Sequence, residues 1–224
     1  MRIYIVSLFP SMFEGPFDTS MLKKAKDKAL VEINIHNLRD WAEDKHKTVD
    51  DRPYGGGPGM VIRVDVVQRA ISNLQLSIFN KKKSKIILLS PQGKTFDQAK
   101  ARELSKLEHI ILLAGHYEGF DERIHEHLVD EEISIGNYVL TGGELPAMVI
   151  TDAVVRLLPG VLEEEARENE SFSSGENLDY PVYTRPEDFK GWKVPDILRT
   201  GDHKKITEWR AEKANKKTEL KKIS

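Results

Sequence analysis

Residues 85–115 read KIILLSPQGKTFDQAKARELSKLEHIILLAG, and this stretch decides the fold class. It begins and ends with continuous apolar runs, KIILLS at 85–90 and HIILLAG at 109–115. Runs of this kind are typical of strands that are covered on both faces of a parallel sheet. Between them, residues 97–107 have the spacing of a helix. The stretch therefore predicts a β-α-β unit with two parallel strands.

The same alternation continues on both sides of this stretch. Strand-like and helix-like segments follow one another until Pro159 and Gly160, which end the pattern. The predicted fold class is α/β, with a mainly parallel sheet. The other predicted strands are 2–8, 31–37 and 131–135, and the other predicted helices are 18–30, 64–76 and 144–158.

A second, smaller unit is predicted near the end of the chain. The composition changes to the acidic segment EEEARENE at 163–170 and then to SFSSGENLDYPVYTRP at 171–186, which is rich in Ser, Gly and Pro. Segments of this composition separate structural units. Beyond them lie two short helix candidates and a long charged one with Trp209. The predicted division is 1–161 for the α/β domain, 162–184 for a linker and 185–224 for a small all-α domain.

Composition and charge limit the classes of protein. The 224 residues are 39% hydrophobic and 31% charged, as in globular proteins, and they include no cysteine for disulfides or thiolate metal sites. No apolar run approaches the roughly 20 residues of a membrane helix. We therefore expect a cytoplasmic protein without membrane association. The net charge is -2, yet residues 201–224 carry eight Lys or Arg against four acids, which indicates either a polyanionic partner or a solvated helix face.

Glycine-rich loops follow three predicted strands. SPQGK follows the strand at 85–90, GHYEGFDER follows the strand at 109–114, and IGNYVLTGGELP follows the strand at 131–135. Ligands of doubly wound sheets bind beyond the carboxyl ends of the strands. Each loop alone has the composition of an ordinary turn. The three together predict one shared ligand pocket.

Two local patterns resemble known sites without matching them. GKT at 93–95 lacks the first glycine of a phosphate loop, because Leu88 occupies that position. His125 and His127 are two residues apart, so on a helix they would point to different faces. We expect two solvent-exposed histidines there, and not a metal site.

Seven motifs carry a family resemblance. They are SLFP, HKTVDDRPYGGGPGM at 46–60, LSPQG, GHYEGFDER, IGNYVLTGGELPAM, LLPGVL and YPVYTRP, in this order over nearly the whole chain. Together they resemble bacterial tRNA (guanine-N1)-methyltransferases of the SPOUT class. The resemblance implies a trefoil-knotted parallel-sheet domain followed by a small all-α domain that binds tRNA. It also implies a homodimer, in which the knot of one subunit and the linker and helical domain of the other complete each site, and it implies no other protein partner.

The resemblance also implies a reaction. The family transfers a methyl group from S-adenosylmethionine to N1 of the guanosine directly 3′ of the tRNA anticodon. Because N1 carries a proton at neutral pH, catalysis needs a base at N1 and positive charge near O6. Arg156 matches the family's arginine, and Glu170 occupies the position of its catalytic aspartate. Asp179, in LDYP, is the alternative base.

The three loops would bind the methyl donor. Glu118 is implied as a residue that acts on the sulfonium directly or through a magnesium ion, and Asn137 departs from the aspartate that is usual in the family. The donor-binding residues carried over from the motifs are Leu88, Leu89, Ser90, Pro91, Gln92, Gly115, Tyr117, Glu118, Ile135, Gly136, Asn137, Tyr138, Val139, Leu140, Gly142, Gly143 and Pro146.

The segment 46–60 would close over the anticodon loop of the tRNA. In this interpretation Arg52 meets a phosphate and Tyr54 stacks on a base, whereas the alternative is a mobile surface turn. The tRNA-binding residues implied are His46, Asp50, Arg52, Tyr54, Gly55 and Gly59.

Two other functions stay open at this point. A related SPOUT methyltransferase acting on ribose or on ribosomal RNA would not need a carboxylate at 170 or 179. A noncatalytic RNA-binding module would keep the fold without the activity, and Glu170 in place of the aspartate favours this alternative.

Overall fold

The computed structural model describes residues 1–75, 81–163, 167, 170–173 and 175–223. The chain divides into two compact units, Met1–Leu162 and Glu163–Ser224. Leu76, the predicted end of one helix, and most of the acidic segment lie outside the described residues. The finer division with a separate linker at 162–184 stays a prediction.

The first unit alternates strands and helices around a parallel sheet. Its strands are β1 Arg2–Ser7, β2 Glu32–Asn37, β3 Asp50–Asp51, β4 Val61–Ile62, β5 Ser84–Thr95, β6 His109–Ala114 and β7 Glu131–Ser134. Its helices are α1 Ser20–Asp27, α2 Val64–Gln75, α3 Gln98–Leu104, α4 Glu122–His127 and α5 Glu144–Val155. Five strands form one sheet in the order β2-β1-β6-β5-β7, and all of their pairings are parallel. The predicted α/β class is therefore confirmed.

Apolar side chains cover both faces of this sheet. On β1, Ile3 and Ile5 belong to a buried cluster that includes residues of α1, α3 and α5. Tyr4 and Val6 belong to a second cluster, which includes residues of α2 and α4. All residues of β6 are buried. Burial on both faces explains why these strands are continuous apolar runs in the sequence.

The strand β5 is longer than the sequence predicts. It continues to Thr95, and Ile133 of β7 pairs with both Leu89 and Lys94 of β5. Residues 90–93 therefore form a bulge inside the strand. The prediction that the strand ends at Ser90 is wrong, because β7 offers β5 further partners beyond the bulge.

A short hairpin carries the glycine-rich segment 46–60. β3 and β4 pair antiparallel at its base, where Val49 and Ile62 are fully buried. Tyr54, near its tip, is completely exposed. The hairpin is thus anchored in the core at its base and open to solvent at its tip.

The second unit contains one long helix, α6, at His203–Ile223. A turn of 3-10 helix at Asp196–Arg199 precedes it, as does an antiparallel ribbon of β8, Asp188–Phe189, and β9, Trp192–Lys193. The ribbon adds β-structure where the sequence predicted only helices. In the described part of the chain, no helix combines the length and the apolar composition that crossing a membrane requires.

Candidate functional site

A cavity of about 380 Å³ lies beside the bulge of β5 and at the carboxyl ends of β6 and β7. Small-molecule sites typically have volumes of roughly 300–1,000 Å³. The wall is formed by residues 88–92 of β5, by 115–120 after β6 and by 133–143 around the end of β7, apart from residue 137. The structure therefore brings together the three glycine-rich segments that the sequence predicts to share a pocket.

Close backbone contact joins two of these segments. The N–H of Gly143 donates a 2.7 Å hydrogen bond to the carbonyl of Gly115. A Cβ at position 143 would lie 2.8 Å from Cα of Ala114, closer than side chains tolerate. Only glycine permits this approach, so Gly143 fixes the segment after β7 against the segment after β6.

Aromatic and apolar side chains give the cavity an accessible surface. Tyr117, Tyr138 and Leu140 all line it and are 44%, 55% and 37% exposed. Tyr117 has a φ of 60°, a left-handed conformation that is uncommon outside glycine. Flat exposed rings beside bare backbone groups suit a ligand that has an aromatic ring with polar edges.

The glycine-rich hairpin docks against the cavity wall. The N–H of Glu118 donates to the carbonyl of Met60 at 3.1 Å, and the N–H of Ile62 donates to the carbonyl of Gly119 at 2.9 Å. Gly59 has a φ of +80°, and a Cβ there would collide with the side chain of Glu118. The end of the hairpin and the segment after β6 therefore form one continuous surface.

Asp121 secures the far end of this contact. Its N–H donates to the carbonyl of Ile62 at 3.0 Å, and its side chain accepts a hydrogen bond from the N–H of Arg123 in the first turn of α4. The Arg123 guanidinium, bonded to the same carboxylate, lowers the pKa of Asp121. Asp121 therefore stays charged as the N-cap of α4.

Sequence comparisons decide the family. The profile of the family described as tRNA (Guanine-1)-methyltransferase TrmD matches residues 1–224, which is the whole chain.

The chain belongs to the tRNA (guanine-N1)-methyltransferase family.

Individual members of the family are closely similar to the chain. A tRNA (guanine-N(1)-)-methyltransferase from Dictyoglomus turgidum is 57% identical over 222 residues, which are 99% of this chain and 88% of that protein. Proteins of the same name from Bacillus pumilus and Bacillus cereus are 56% and 54% identical over 221 and 219 residues. Each of these covers 97% of this chain and 88% of the relative. The resemblance inferred from the seven motifs is confirmed.

The donor-binding residues implied by the methyltransferase family all line the cavity except Asn137. Asn137 is exposed in a tight turn, where the N–H of Tyr138 donates to the carbonyl of Gly136 at 2.9 Å. The structure therefore does not bring Asn137 into the cavity wall. The ligand of the other residues stays a prediction.

The structure adds wall residues that the motif comparison did not assign, among them His116, Phe120 and His125. The prediction that His125 is solvent-exposed is wrong. Its side chain is 16% exposed, and its Nδ1 lies 3.3 Å from Oε2 of Glu132. The six-residue helix α4 directs His125 inward, whereas His127 is 67% exposed as predicted.

The residues that the methyltransferase family implies for catalysis lie in both units. Arg156 is the C-cap residue of α5, where its positive charge is favourable to the helix dipole. Glu170 and Asp179 belong to the second unit, and the carbonyl of Glu170 accepts from the N–H of Ser173 at 3.1 Å. Oδ1 of Asp179 accepts from the N–H of Tyr180 at 2.7 Å.

The segment that carries Asp179 packs along α6 within the second unit. The N–H of Leu178 donates to Oγ1 of the buried Thr218 at 2.9 Å, and the Arg210 guanidinium lies 4.6 Å from the centre of the Tyr180 ring. The residues on either side of Asp179 are therefore both held against α6.

A magnesium site at Glu118 has no further support in the geometry. Within the described residues, no group of three or more His, Asp or Glu side chains could hold a metal ion. Magnesium is often held by one or two carboxylates together with substrate oxygens. Glu118 alone therefore stays a predicted ligand.

Proposed function

We propose that this protein transfers a methyl group from S-adenosylmethionine to N1 of the guanosine directly 3′ of the tRNA anticodon. The observation that carries the proposal is the cavity of about 380 Å³, which is lined by all but one of the donor-binding residues that the family implies. Its tyrosine rings and glycine backbone suit an adenosine, and S-adenosylmethionine would supply an electrophilic methyl group there. Because the substrate would be tRNA, we propose that the protein acts in the cytoplasm.

The residues of the chain would prepare the guanine for transfer. A carboxylate, Glu170 or Asp179, takes the proton from N1 as the N1 lone pair attacks the methyl carbon. Arg156 stabilises the negative charge that develops on O6. The carbon–sulfur bond breaks, and its electron pair remains on sulfur. Both roles are transferred from the motifs, and the position of Arg156 at the end of α5 supports its role as a fixed cation.

The exposed hairpin tip would bind the anticodon loop. Tyr54 is completely accessible and Arg52 is exposed, as stacking on a base and contact with a phosphate require. His46, Asp50, Gly55 and Gly59 belong to the same hairpin and would shape this surface. In the second unit, the basic end of α6 would add contacts to the tRNA backbone.

We further propose the SPOUT trefoil knot for the first unit and a homodimer as the active form. The knot is proposed from the family resemblance, and the hydrogen bond between Gly143 and Gly115 joins two of the loops that would form it. Leu145 and Val149 lie one turn apart on α5, are 48% and 47% exposed, and support the dimer. We propose that these two side chains belong to an apolar dimer interface.

The test is methyl transfer to one purified tRNA carrying guanosine, inosine or adenosine at the target position. Guanosine and inosine both carry a proton on N1 and an oxygen at position 6, so we expect a methyl group on N1 of guanosine and measurable transfer to inosine. Adenosine lacks both features and should not react. Methylation of a ribose, identified by mass spectrometry of the nucleosides, would contradict the proposal.

Calorimetry with S-adenosylmethionine separates an enzyme from a noncatalytic RNA-binding module. We expect the enzyme to bind the donor in the absence of RNA, whereas a pure RNA binder has no reason to bind it. If S-adenosylmethionine gives no binding heat while tRNA still binds, the noncatalytic RNA-binding module is favoured. This is the alternative suggested by Glu170 in place of the family's aspartate.

A further inference from the structure

Glu144 is a buried carboxylate for which the proposed reaction has no use. It is 1% exposed and lies in the first turn of α5, where the helix dipole favours a negative charge. Its Oε1 accepts a 2.7 Å hydrogen bond from the hydroxyl of Ser7, which is also 1% exposed. A buried carboxylate needs partners for both oxygens to offset its desolvation.

The second oxygen of Glu144 faces a histidine of the cavity wall. Oε2 is buried and makes no hydrogen bond within the described residues, and the same holds for Nδ1 of His116. The two atoms lie 3.9 Å apart. Two buried polar atoms without partners destabilise a fold, and a proton on Nδ1 directed at Oε2 would satisfy both after an approach of about 1 Å.

Gly142 keeps the space between these two side chains open. It forms an antiparallel bridge with His116, and a Cβ on it would collide with the carboxylate of Glu144 and lie 2.6 Å from Nδ1 of His116. Because Gly142 has no side chain, Glu144 and His116 can approach each other without moving the backbone of either loop.

Contacts of the first strand lead from Glu144 back to His116, and a hydrogen bond between Glu144 and His116 would close them into a ring. The N–H of Phe9 donates to Oγ of Ser7 at 2.9 Å, and Ser7 in turn donates to Glu144. The Phe9 ring packs edge-on against the His116 ring, with 4.7 Å between the centroids. These contacts thus join the SLFP motif at the end of β1, the segment after β6 and the start of α5, although Ser7 and Glu144 are 137 residues apart in the chain.

We propose that Glu144 is a positioning residue for the methyl donor. Its carboxylate accepts a hydrogen bond from Nδ1–H of His116 in the donor-bound protein, and this bond holds the cavity segment 115–118 against Gly142 and Gly143. Glu144 does not touch the donor, because it is buried beneath the wall that His116 forms. The inference rests on the proposed function, since it assigns the cavity to S-adenosylmethionine.

Glu144→Gln is the test, because the amide keeps the size of the side chain and removes its charge. The amide oxygen can still accept from Nδ1–H of His116, but the hydrogen bond loses its charge assistance and is weaker. We expect the Kd for S-adenosylmethionine and the KM for this donor to rise about tenfold, which corresponds to about 1.4 kcal/mol. The KM for tRNA and kcat should not change, whereas a general loss of folding would lower the active fraction and with it kcat.

Thr151→Val is the matched control. Thr151 lies on α5 two turns after Glu144, is fully buried, and its Oγ1 makes no hydrogen bond within the described residues. Removing this hydroxyl leaves the ring of contacts intact, so donor binding should equal that of the wild type. A tenfold loss in both variants would mean that α5 simply tolerates no change, and the inference would be overturned.

Two further measurements address the role of His116. In a His116→Ala background, Glu144→Gln should weaken donor binding no further, because its effect passes through His116; an undiminished loss contradicts the proposal. The ¹⁵N spectrum of the wild type needs no variant and should show a proton on Nδ1 of His116 with the donor bound. A bare Nδ1 in that complex overturns the inference even if Glu144→Gln fails to fold.

The outcomes for the two proposals are separate. If the wild type does not bind S-adenosylmethionine, the proposed function fails. If the wild type binds it and Glu144→Gln binds it equally well, only the positioning role of Glu144 fails.

Discussion

The backbone N–H of Asp179 donates a 3.0 Å hydrogen bond to Oγ of Ser171, the residue directly after Glu170. The N–H of Phe172 donates to the carbonyl of Asn177 at 2.6 Å, which closes the same loop a second time. The two carboxylates proposed as the base therefore belong to the two ends of one closed loop in the second unit. The effects of mutating Glu170 and Asp179 can therefore be compared within the same loop.

We expect Glu170→Gln to reduce single-turnover methyl transfer by about a hundredfold or more, the usual contribution of a general base. Asp179→Asn should cost much less, because Oδ1 of Asp179 already accepts the N–H of Tyr180, and an amide oxygen can keep that bond. Rates measured at several pH values would check this order. If Asp179→Asn is the slower variant, the base is Asp179.

Replacing Arg156 should separate catalysis from donor binding. Arg156 follows α5 and does not line the cavity, so Arg156→Ala should leave the Kd for S-adenosylmethionine unchanged. Loss of a charge that stabilises O6 should lower the single-turnover rate by about a hundredfold. Arg156→Lys, which keeps the charge, is the control, and its single-turnover rate should lie between those of the wild type and Arg156→Ala. A wild-type rate in Arg156→Ala would remove this residue from the mechanism.

Two glycines of the hairpin provide a matched pair for its docking. Gly56 and Gly59 have φ values of +81° and +80°, so alanine at either position adds a similar backbone strain of roughly 1–2 kcal/mol. A Cβ at position 56 has nothing within 4 Å, whereas one at position 59 collides with Glu118. Gly59→Ala should therefore weaken donor binding in calorimetry, and Gly56→Ala should not. Equal losses of donor affinity in the two variants would show that the collision with Glu118 does not affect donor binding.

Stability should fall in mild acid because of two histidines beside Tyr4. The rings of His36 and His109 stack on Tyr4 with centroids 6.0 Å and 6.3 Å away. Burial lowers the pKa of both histidines from 6.5. Since the unfolded chain binds these protons more readily, their contribution to stability is present above about pH 6.5 and is lost as the pH falls through the folded values.

The measurement is the free energy of unfolding in urea at about pH 8 and about pH 5.5, on either side of the unfolded pKa. We expect a lower value in acid for the wild type. The double variant with His36→Gln and His109→Gln has no such protons to bind, so its loss between the two conditions should be smaller. An equal loss would place the acid sensitivity elsewhere in the protein.

Local sequence patterns predicted the features that depend on local burial. The apolar runs at 85–90 and 109–115 are strands because both of their faces are covered, and burial of this kind is visible in composition alone. The bulge at 90–93 was not predicted, because it depends on a second pairing of Ile133, a residue of another strand. The ribbon of β8 and β9 was missed because two-residue strands give no periodic signal.

The site was predicted in part for the same reason. Glycine-rich segments after strands indicated where a pocket would lie, and the motifs named most of its wall. The environment of Glu144 could not be predicted, because its partner Ser7 is distant in the chain and nothing in the SLFP motif connects it with the start of α5. The exposure of His125 was predicted wrongly because the inward face of a short helix is set by packing and not by the spacing of two histidines.

The hydrogen bonds of Ile62 to Gly119 and Asp121 have a thermodynamic consequence for the two substrates. These hydrogen bonds connect the hairpin proposed to bind RNA with the cavity wall proposed to bind the donor. When one ligand orders its own part of this surface, the second ligand pays a smaller entropy cost to order the rest. Allosteric linkage then requires reciprocity: whatever factor S-adenosylmethionine gains in affinity from bound tRNA, tRNA must gain from bound S-adenosylmethionine.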